Sequence, residues 1–382
     1  MSIINRSLAV LGLVLVTCGA TQAQTSKPIK VGVFVAVTGP GSFLGDASKK
    51  TFELYTQQFN KNGGVDGRQI ELVLYDSKTN PKEAASLARK LIDQDQVDVL
   101  IGANTTGEAM AVVPFVEEAN IPFIALAGGS VVVDPVKKWV FKTPHTDQMS
   151  VEKIYAQLRK EKRSKVALLS GAAGYDQSCR KNAKELSARL GIDIVSDEQH
   201  GSGDTDVTTQ LTKIRGSGAD ALIYCGAGAP SALVARNYKQ LGLTLPLYMT
   251  VGVASQAYIE AAGPAAEGSR VTGSAILAFA DMMQDDPIYN VSRSLHDGYV
   301  ASYKEEPSAF SGYAYDALLL TVEALRRAGT TDKAKVRDAL EGLKNIPGVN
   351  GIYNFSATDH LGFSADSMWI VEVKDGRYRK VD

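Results

Sequence analysis

The amino-acid sequence predicts an α/β protein built as two doubly wound, Rossmann-like lobes, each a mostly parallel sheet with helices on both faces. Three observations carry this. Short β-branched apolar runs alternate with helical segments from about residue 29 onward, as strands covered on both faces do. The alternation runs twice, in two series of similar size that meet near Lys142-Thr143-Pro144. A length of 382 residues also suits about two domains.

In the first series, residues 29–37 (IKVGVFVAV) read as a strand ending at Thr38-Gly39-Pro40-Gly41. Asp46 is placed to cap a helix reaching Asn62, with Phe52, Tyr55 and Phe59 on its apolar face. The run Asn62-Gly63-Gly64-Val65-Asp66-Gly67 turns into a strand at 70–75. Asn80-Pro81 opens the next helix, with proline at the first helical position, where its missing donor costs nothing. Leu87, Leu91 and Ile92 face inward along it. A strand at 97–101, a loop at 102–107, a helix to Ala119 and a strand at 123–126 complete the series.

The second series has strands at 166–170, 192–196, 221–225 and 247–250. Helices lie between them, through Leu190, near 207–216 and at 231–241. The late chain differs: an apolar stretch at 274–279 precedes helices at 288–303, 311–328 and 331–343. Two strands, 369–374 and 377–381, then turn at Asp375-Gly376.

The first residues read as an address. Arg6 supplies a positive region, residues 8–16 (LAVLGLVLV) are too short an apolar run to span a bilayer, and Thr21-Gln22-Ala23 offers a small-residue cleavage site before Gln24. Residues 1–23 are therefore expected to be a secretory signal peptide. Leu15-Val16-Thr17-Cys18 resembles a lipobox, but threonine before the cysteine fits poorly, so lipid anchoring through Cys18 ranks below simple cleavage. Cleavage removes one basic residue, Arg6, from a chain with 41 basic and 42 acidic residues. The resulting net charge of about −2 leaves no electrostatic footprint for nucleic acid or an anionic membrane. Cys179 and Cys225 then remain, either as a disulfide or as two separate buried thiols. No residue spacing suggests a metal site, and no cofactor is expected.

Enzyme readings find little support. Gly226-x-Gly228 follows a strand, but Ser231 occupies the third glycine position of a dinucleotide fingerprint and Pro230 precedes it. No nucleophile elbow, phosphate loop or paired-histidine zinc motif is present, and none of the four histidines (145, 200, 296, 360) has a nucleophile near it in sequence.

Several motifs, taken in order, carry a family resemblance across the region after the signal segment. Thr38-Gly39-Pro40, Gly45-Asp46, the Asn60 to Gly67 turn, Tyr75-Asp76, Ile101-Gly102, Tyr175 and Tyr315-Asp316-Ala317 resemble the leucine/isoleucine/valine-binding proteins of bacterial ABC transporters. The resemblance implies a type I periplasmic binding fold whose chain crosses between lobes three times, near 142–146, 272–278 and 355–359. It divides the chain into lobe 1 (24–143 plus 275–356) and lobe 2 (144–274 plus 357–382). It also implies a periplasmic, monomeric protein that delivers a small molecule to a membrane permease; a chemoreceptor or other signalling partner is the alternative.

Two segments suit an anion. Asn104-Thr105-Thr106-Gly107 lies between a strand end and a helix start, and Ala127-Gly128-Gly129-Ser130 follows the next strand. A helix start offers unpaired amides and partial positive charge, and glycines let backbone approach a ligand. By resemblance, Thr106 and Ser130 hold a substrate carboxylate and Tyr175 closes over the ligand from lobe 2. His145, beside the first crossing, is either an added donor to the pocket or, as its position favours, a histidine on the hinge surface. Leu44 stands where relatives often carry an aromatic wall, Ala227 replaces a tyrosine, and Val251 stands where relatives place the carboxylate that pairs with an α-ammonium. Loss of that partner disfavours a zwitterion unless Asp76 or Glu108 substitutes. The expected ligand is a small organic acid with an aromatic or otherwise apolar body, and the alternative is a branched-chain or other hydrophobic amino acid.

Overall fold

The computed structural model describes residues 27–381. The expected signal segment, with Cys18, lies outside them. Among the described residues no helix is long and apolar enough to cross a membrane, and no group of three His, Cys, Asp or Glu could hold a metal ion.

Strands β1 (Ile29–Val35), β2 (Ile70–Asp76), β3 (Val99–Gly102), β4 (Phe123–Ala125) and β5 (Val140–Lys142) form one sheet in the order β2-β1-β3-β4-β5. Every pairing in it is parallel. Helices α1 (Ser42–Lys61), α2 (Pro81–Asp93) and α3 (Thr106–Ala119) connect these strands. Asn80 caps α2 as its position before proline implies, accepting from the amides of Lys82 and Glu83. Asp46 does not cap α1. The helix starts a turn earlier, after Gly41, and the Asp46 carboxylate instead pairs with Lys50 at 2.9 Å.

The second unit runs through α4 (Asp147–Lys160), β6 (Lys165–Ser170), α5 (Gly174–Leu190), β7 (Asp193–Gln199), α6 (Thr208–Arg215), β8 (Ala221–Cys225), α7 (Pro230–Gln240), β9 (Leu247–Met249), α8 (Gln256–Ala262) and β10 (Arg270–Gly273). The chain then returns to the first sheet. Helices α9 (Tyr289–Tyr303) and α10 (Ala309–Ala328) pack on α1, where the Tyr315 ring meets Tyr55 edge-on at 4.7 Å. Helix α11 (Lys333–Glu341) and the short pair β11 (Ile346–Pro347) and β12 (Ile352–Tyr353) follow. Finally β13 (Trp369–Lys374) and β14 (Arg377–Lys380) add antiparallel strands to the second sheet, whose order is β14-β13-β10-β9-β8-β6-β7.

From β6 to β10 the second sheet repeats the strand order of the first, beginning in each case with the first and second strands side by side and the third on the far flank of the first. The disulfide alternative holds: Cys179 of α5 bonds Cys225 at the end of β8. It therefore ties a helix to the strand that it covers. Asp316, from the motif in α10, anchors the last passage between sheets. It is fully buried and accepts from the Val349 amide, the Asn350 amide and side chain, and the Tyr353 hydroxyl.

Candidate functional site

In a doubly wound sheet, neighbouring loops diverge to opposite faces where the strand order reverses, leaving a crevice at the carboxyl ends of the strands. Here that happens twice, after β1 and β3 and after β6 and β8. All four of these loops border one cavity of about 340 Å³.

Most of the polar side chains of the first wall are bonded within the protein itself. Asn104 accepts from the Ala36 amide at 2.8 Å and donates to Ser48 Oγ at 3.0 Å, so it fastens the end of β1 to the start of α3. Thr105 caps α3 through a reciprocal pair: its Oγ1 accepts from the Glu108 amide, and its own amide donates to Glu108 Oε2. Ser77 donates to the other Glu108 oxygen at 2.6 Å. Burial still raises the Glu108 carboxyl above its ordinary range. Thr106 Oγ1 accepts from the Gly129 amide at 3.1 Å, which leaves the hydroxyl proton free to donate. The amides of Thr106 and Gly107 have no partner among the described residues.

The opposite wall is the start of α5. Its cap position is Ala173, which has no side-chain oxygen to offer, and the amides of Gly174 and Tyr175 are unpartnered among the described residues. The two helix starts almost touch: a β-carbon on Gly174 would stand 3.3 Å from the Gly107 nitrogen. Two partial positive ends thus converge on one space, an arrangement that favours an anion between them. Neither lysine nor arginine lines the cavity.

Tyr175 covers this space. A β-carbon at Gly128 would lie 2.9 Å from its ring, so the close approach requires glycine there. The Tyr175 hydroxyl and that of Tyr313, which lines the cavity from α10, are both buried without a hydrogen-bond partner among the described residues. Burial raises both phenols above their ordinary range, so both remain protonated donors at neutral pH. Leu44, Leu126, Ala227, Val251 and Phe310 make most of the remaining surface apolar.

Of the residues expected from sequence, Leu44, Asn104, Thr105, Thr106, Gly128, Tyr175, Ala227 and Val251 border the cavity. Gly129, Ser130 and His145 do not. Gly129 sits behind Thr106, to which its amide is bonded. Ser130 begins a short 3₁₀ turn and is taken up by other partners: its amide donates to Asp147 Oδ1 at 2.8 Å, and its hydroxyl accepts from Asn182 of α5 at 3.0 Å. It therefore holds the two walls together rather than facing a ligand. His145 is fully buried away from the cavity, bonded to Ser367 Oγ at 3.0 Å and set edge-on to Phe363. Burial and the neighbouring Lys142 push its imidazole down to about 3.

Neither acid considered as a substitute ammonium partner reaches the cavity. Asp76 accepts from Thr38 and Lys78, which hold its carboxyl below the usual range, and Glu108 is consumed by the α3 cap. A different acid does line it. Asp176, at the third position of α5, is 7 % exposed, and burial pushes its carboxyl up to about 7. The sequence signal for it was its place three residues after Ala173, where an acidic side chain can reach back to the cap amide. His200 also lines the cavity, but its ring nitrogens meet the Gly201 carbonyl and the Tyr224 hydroxyl, so it presents only its ring.

Comparison with known proteins places this geometry. A family model described as periplasmic binding protein matches residues 28–377. The leucine-, isoleucine-, valine-, threonine- and alanine-binding protein of Pseudomonas aeruginosa is 26% identical over 325 residues, covering 84% of each chain. An extracellular ligand-binding receptor of Rhodopseudomonas palustris superposes with a TM-score of 0.86 at 28% identity, covering 93% of this chain and 99% of the other. A branched-chain amino acid transporter substrate-binding protein of Streptococcus pneumoniae, solved with isoleucine, gives 0.81 at 25% identity over 93% and 99% of the two chains.

Proposed function

The chain belongs to the periplasmic binding protein family, and from that premise we propose that it captures a small carboxylate with an apolar, preferably aromatic, body between its two lobes. It then delivers that solute to the permease of an ABC importer outside the cytoplasm. The lobes in this reading are 24–143 plus 275–356 and 144–274 plus 357–382, and the passages between them act as the hinge.

The observation that carries the reading is the convergence of the α3 and α5 starts on one largely apolar cavity. Thr106 and the adjacent amides take the carboxylate first. Closure adds the α5 amides and the Tyr175 hydroxyl, and the ligand favours the closed form by the difference in affinity that these contacts provide. All of these groups donate hydrogen bonds to a fixed anion, and none is placed to make or break a covalent bond. Val251 at the wall argues for an organic acid. The named specificity of the Pseudomonas relative favours the alternative, a hydrophobic amino acid.

Calorimetry with leucine and with benzoate-type acids separates the two. Tight binding of an acid without an amino group supports the proposal, and tight binding of leucine alone overturns it. A ligand that binds only the folded state also raises the melting temperature with concentration, so a thermal-shift screen over amino, aromatic and aliphatic acids gives an independent readout.

A further inference from the structure

We propose that Asp176 forms a second subsite within the cavity, one that takes a hydroxyl group carried by the ligand, so that the preferred solute is a hydroxylated carboxylic acid. This rests on the reading of the cavity as a carboxylate site. Asp176 Oδ2 is fixed by the Ala173 amide at 3.0 Å and packs so tightly against the loop that a β-carbon at Gly171 would fall 2.3 Å from it. Asp176 Oδ1 has no hydrogen-bond partner among the described residues, and the side chain borders the cavity. The polar groups around it do not answer that oxygen. His200 and Tyr224 are bonded to each other at 3.1 Å, and Gln177 donates to the Gly171 carbonyl at 2.6 Å. Ser202 lies at the exposed rim.

A ligand that filled the space with hydrocarbon alone would strip water from Asp176 and return nothing to it. A hydroxyl restores the bond in either protonation state of the carboxyl, accepting from the neutral acid or donating to the carboxylate. An ammonium is a poorer match. It needs a fully ionised partner, whereas burial favours the neutral acid and no second carboxylate borders the cavity. One cap-position acid thereby completes α5 and reads the ligand.

The test is titration calorimetry with matched sets: benzoate against its 2-, 3- and 4-hydroxy derivatives, and 4-methylpentanoate against 2-hydroxy-4-methylpentanoate and leucine. Each set is run on the wild type, Asp176→Ala and Asp176→Asn. In the wild type at least one hydroxy acid binds about tenfold or more tighter than its parent, the size expected for one buried hydrogen bond. That ratio collapses toward one in Asp176→Ala. It partly returns in Asp176→Asn, which keeps an oxygen for the Ala173 amide and stays folded by circular dichroism.

If plain acids bind and the hydroxyl adds nothing, or if its advantage survives Asp176→Ala, the subsite is refuted while the carboxylate site stands. A leucine affinity above that of its hydroxy analogue also overturns the subsite, because it assigns the position to an ammonium. If no carboxylate binds at all, the broader reading falls and takes this one with it.

Discussion

The starts of α3 and α5 face each other across the same cavity, yet they are built differently. At the α3 start the capping side chains are satisfied: Thr105, Glu108 and Ser77 bond one another and Asn104 ties the loop to the Ala36 amide, while the Thr106 and Gly107 amides stay free. The α5 start is unfinished: alanine sits at the cap, the Tyr175 hydroxyl has no partner, and Asp176 uses one oxygen of two. A wall whose capping side chains already have partners can receive a ligand on its free amides without reorganising. In the proposed mechanism, a wall with orphan groups gains most from the ligand and so couples binding to closure. On the proposed reading, the free energy of closure comes from groups that gain partners only when the cavity is filled.

The largest expected effect lies on stability and distinguishes the two walls by pH. Burial raises the folded Asp176 carboxyl from 3.8 to about 7. Between those values the folded protein keeps a proton that the unfolded chain has lost, so stability falls as pH rises through that window and levels off above it. A shift of that size corresponds to at most about 4 kcal/mol. In urea unfolding without ligand, Asp176→Asn should flatten the decline between pH 4 and 8 by a large part of that amount. Glu108→Gln should flatten it less, because hydrogen bonds from Ser77 and Thr105 offset the burial of Glu108. Equal slopes for the two variants would erase the contrast between the two walls.

Next in size is closure itself. Gly228 has a φ of +69°, and a β-carbon there would lie 2.5 Å from the Pro40 carbonyl oxygen on the opposite wall. The adjacent Ala229 amide donates to that same oxygen at 3.2 Å. Gly228→Ala should leave folding within about 1–2 kcal/mol of wild type, yet weaken ligand binding by about a hundredfold or more. Small-angle scattering should show less contraction on saturation with ligand than in wild type. A compact scattering profile with unchanged affinity would mean the two walls need not meet.

Thr106 and Thr105 provide a finer division within one loop. Thr106→Val keeps the shape but removes the hydroxyl, and should weaken carboxylate binding roughly 10- to 100-fold while costing about 1–3 kcal/mol of stability, because the Gly129 amide loses its acceptor. Thr105→Val removes the cap and should cost about 1 kcal/mol of stability, with a smaller change in affinity. A larger loss of affinity in Thr105→Val than in Thr106→Val would mean the roles are exchanged.

Much of this was legible in the sequence, and the residues it missed share a cause. The buried run at 221–225 became β8 with the same bounds, because a strand covered on both faces is apolar at every position. By contrast β5 spans only Val140–Lys142, too short for any periodicity to declare itself. The expected residues that border the cavity sit on loops whose direction follows from the strand ends. Ser130 and His145 miss it because their side chains answer to Asn182 and Ser367, 52 and 222 residues away in the chain. Tyr313 entered the cavity from α10, a helix whose return to the first sheet is visible in the motif but whose facing is set by tertiary packing. Asp176 lay in plain view beside Tyr175, yet its meaning depended on Ala173 being unable to cap.

The smallest effect is also the sharpest test of the unfinished wall. The Tyr175 hydroxyl is buried and protonated, with the Thr250 hydroxyl beside it but no hydrogen bond of good geometry among the described residues. Removing an unsatisfied buried donor relieves a desolvation cost, so Tyr175→Phe should leave the ligand-free protein as stable as wild type or raise its melting temperature slightly. The same change deletes a hydrogen bond that exists only with ligand present, and should weaken carboxylate binding by about tenfold. A structural role alone moves both quantities in the same direction, since lost packing destabilises the protein with or without ligand. Opposite signs in melting temperature and affinity are expected only if the hydroxyl is held in reserve for the solute, and that pair of signs separates a donor kept for the ligand from one merely tolerated by the fold.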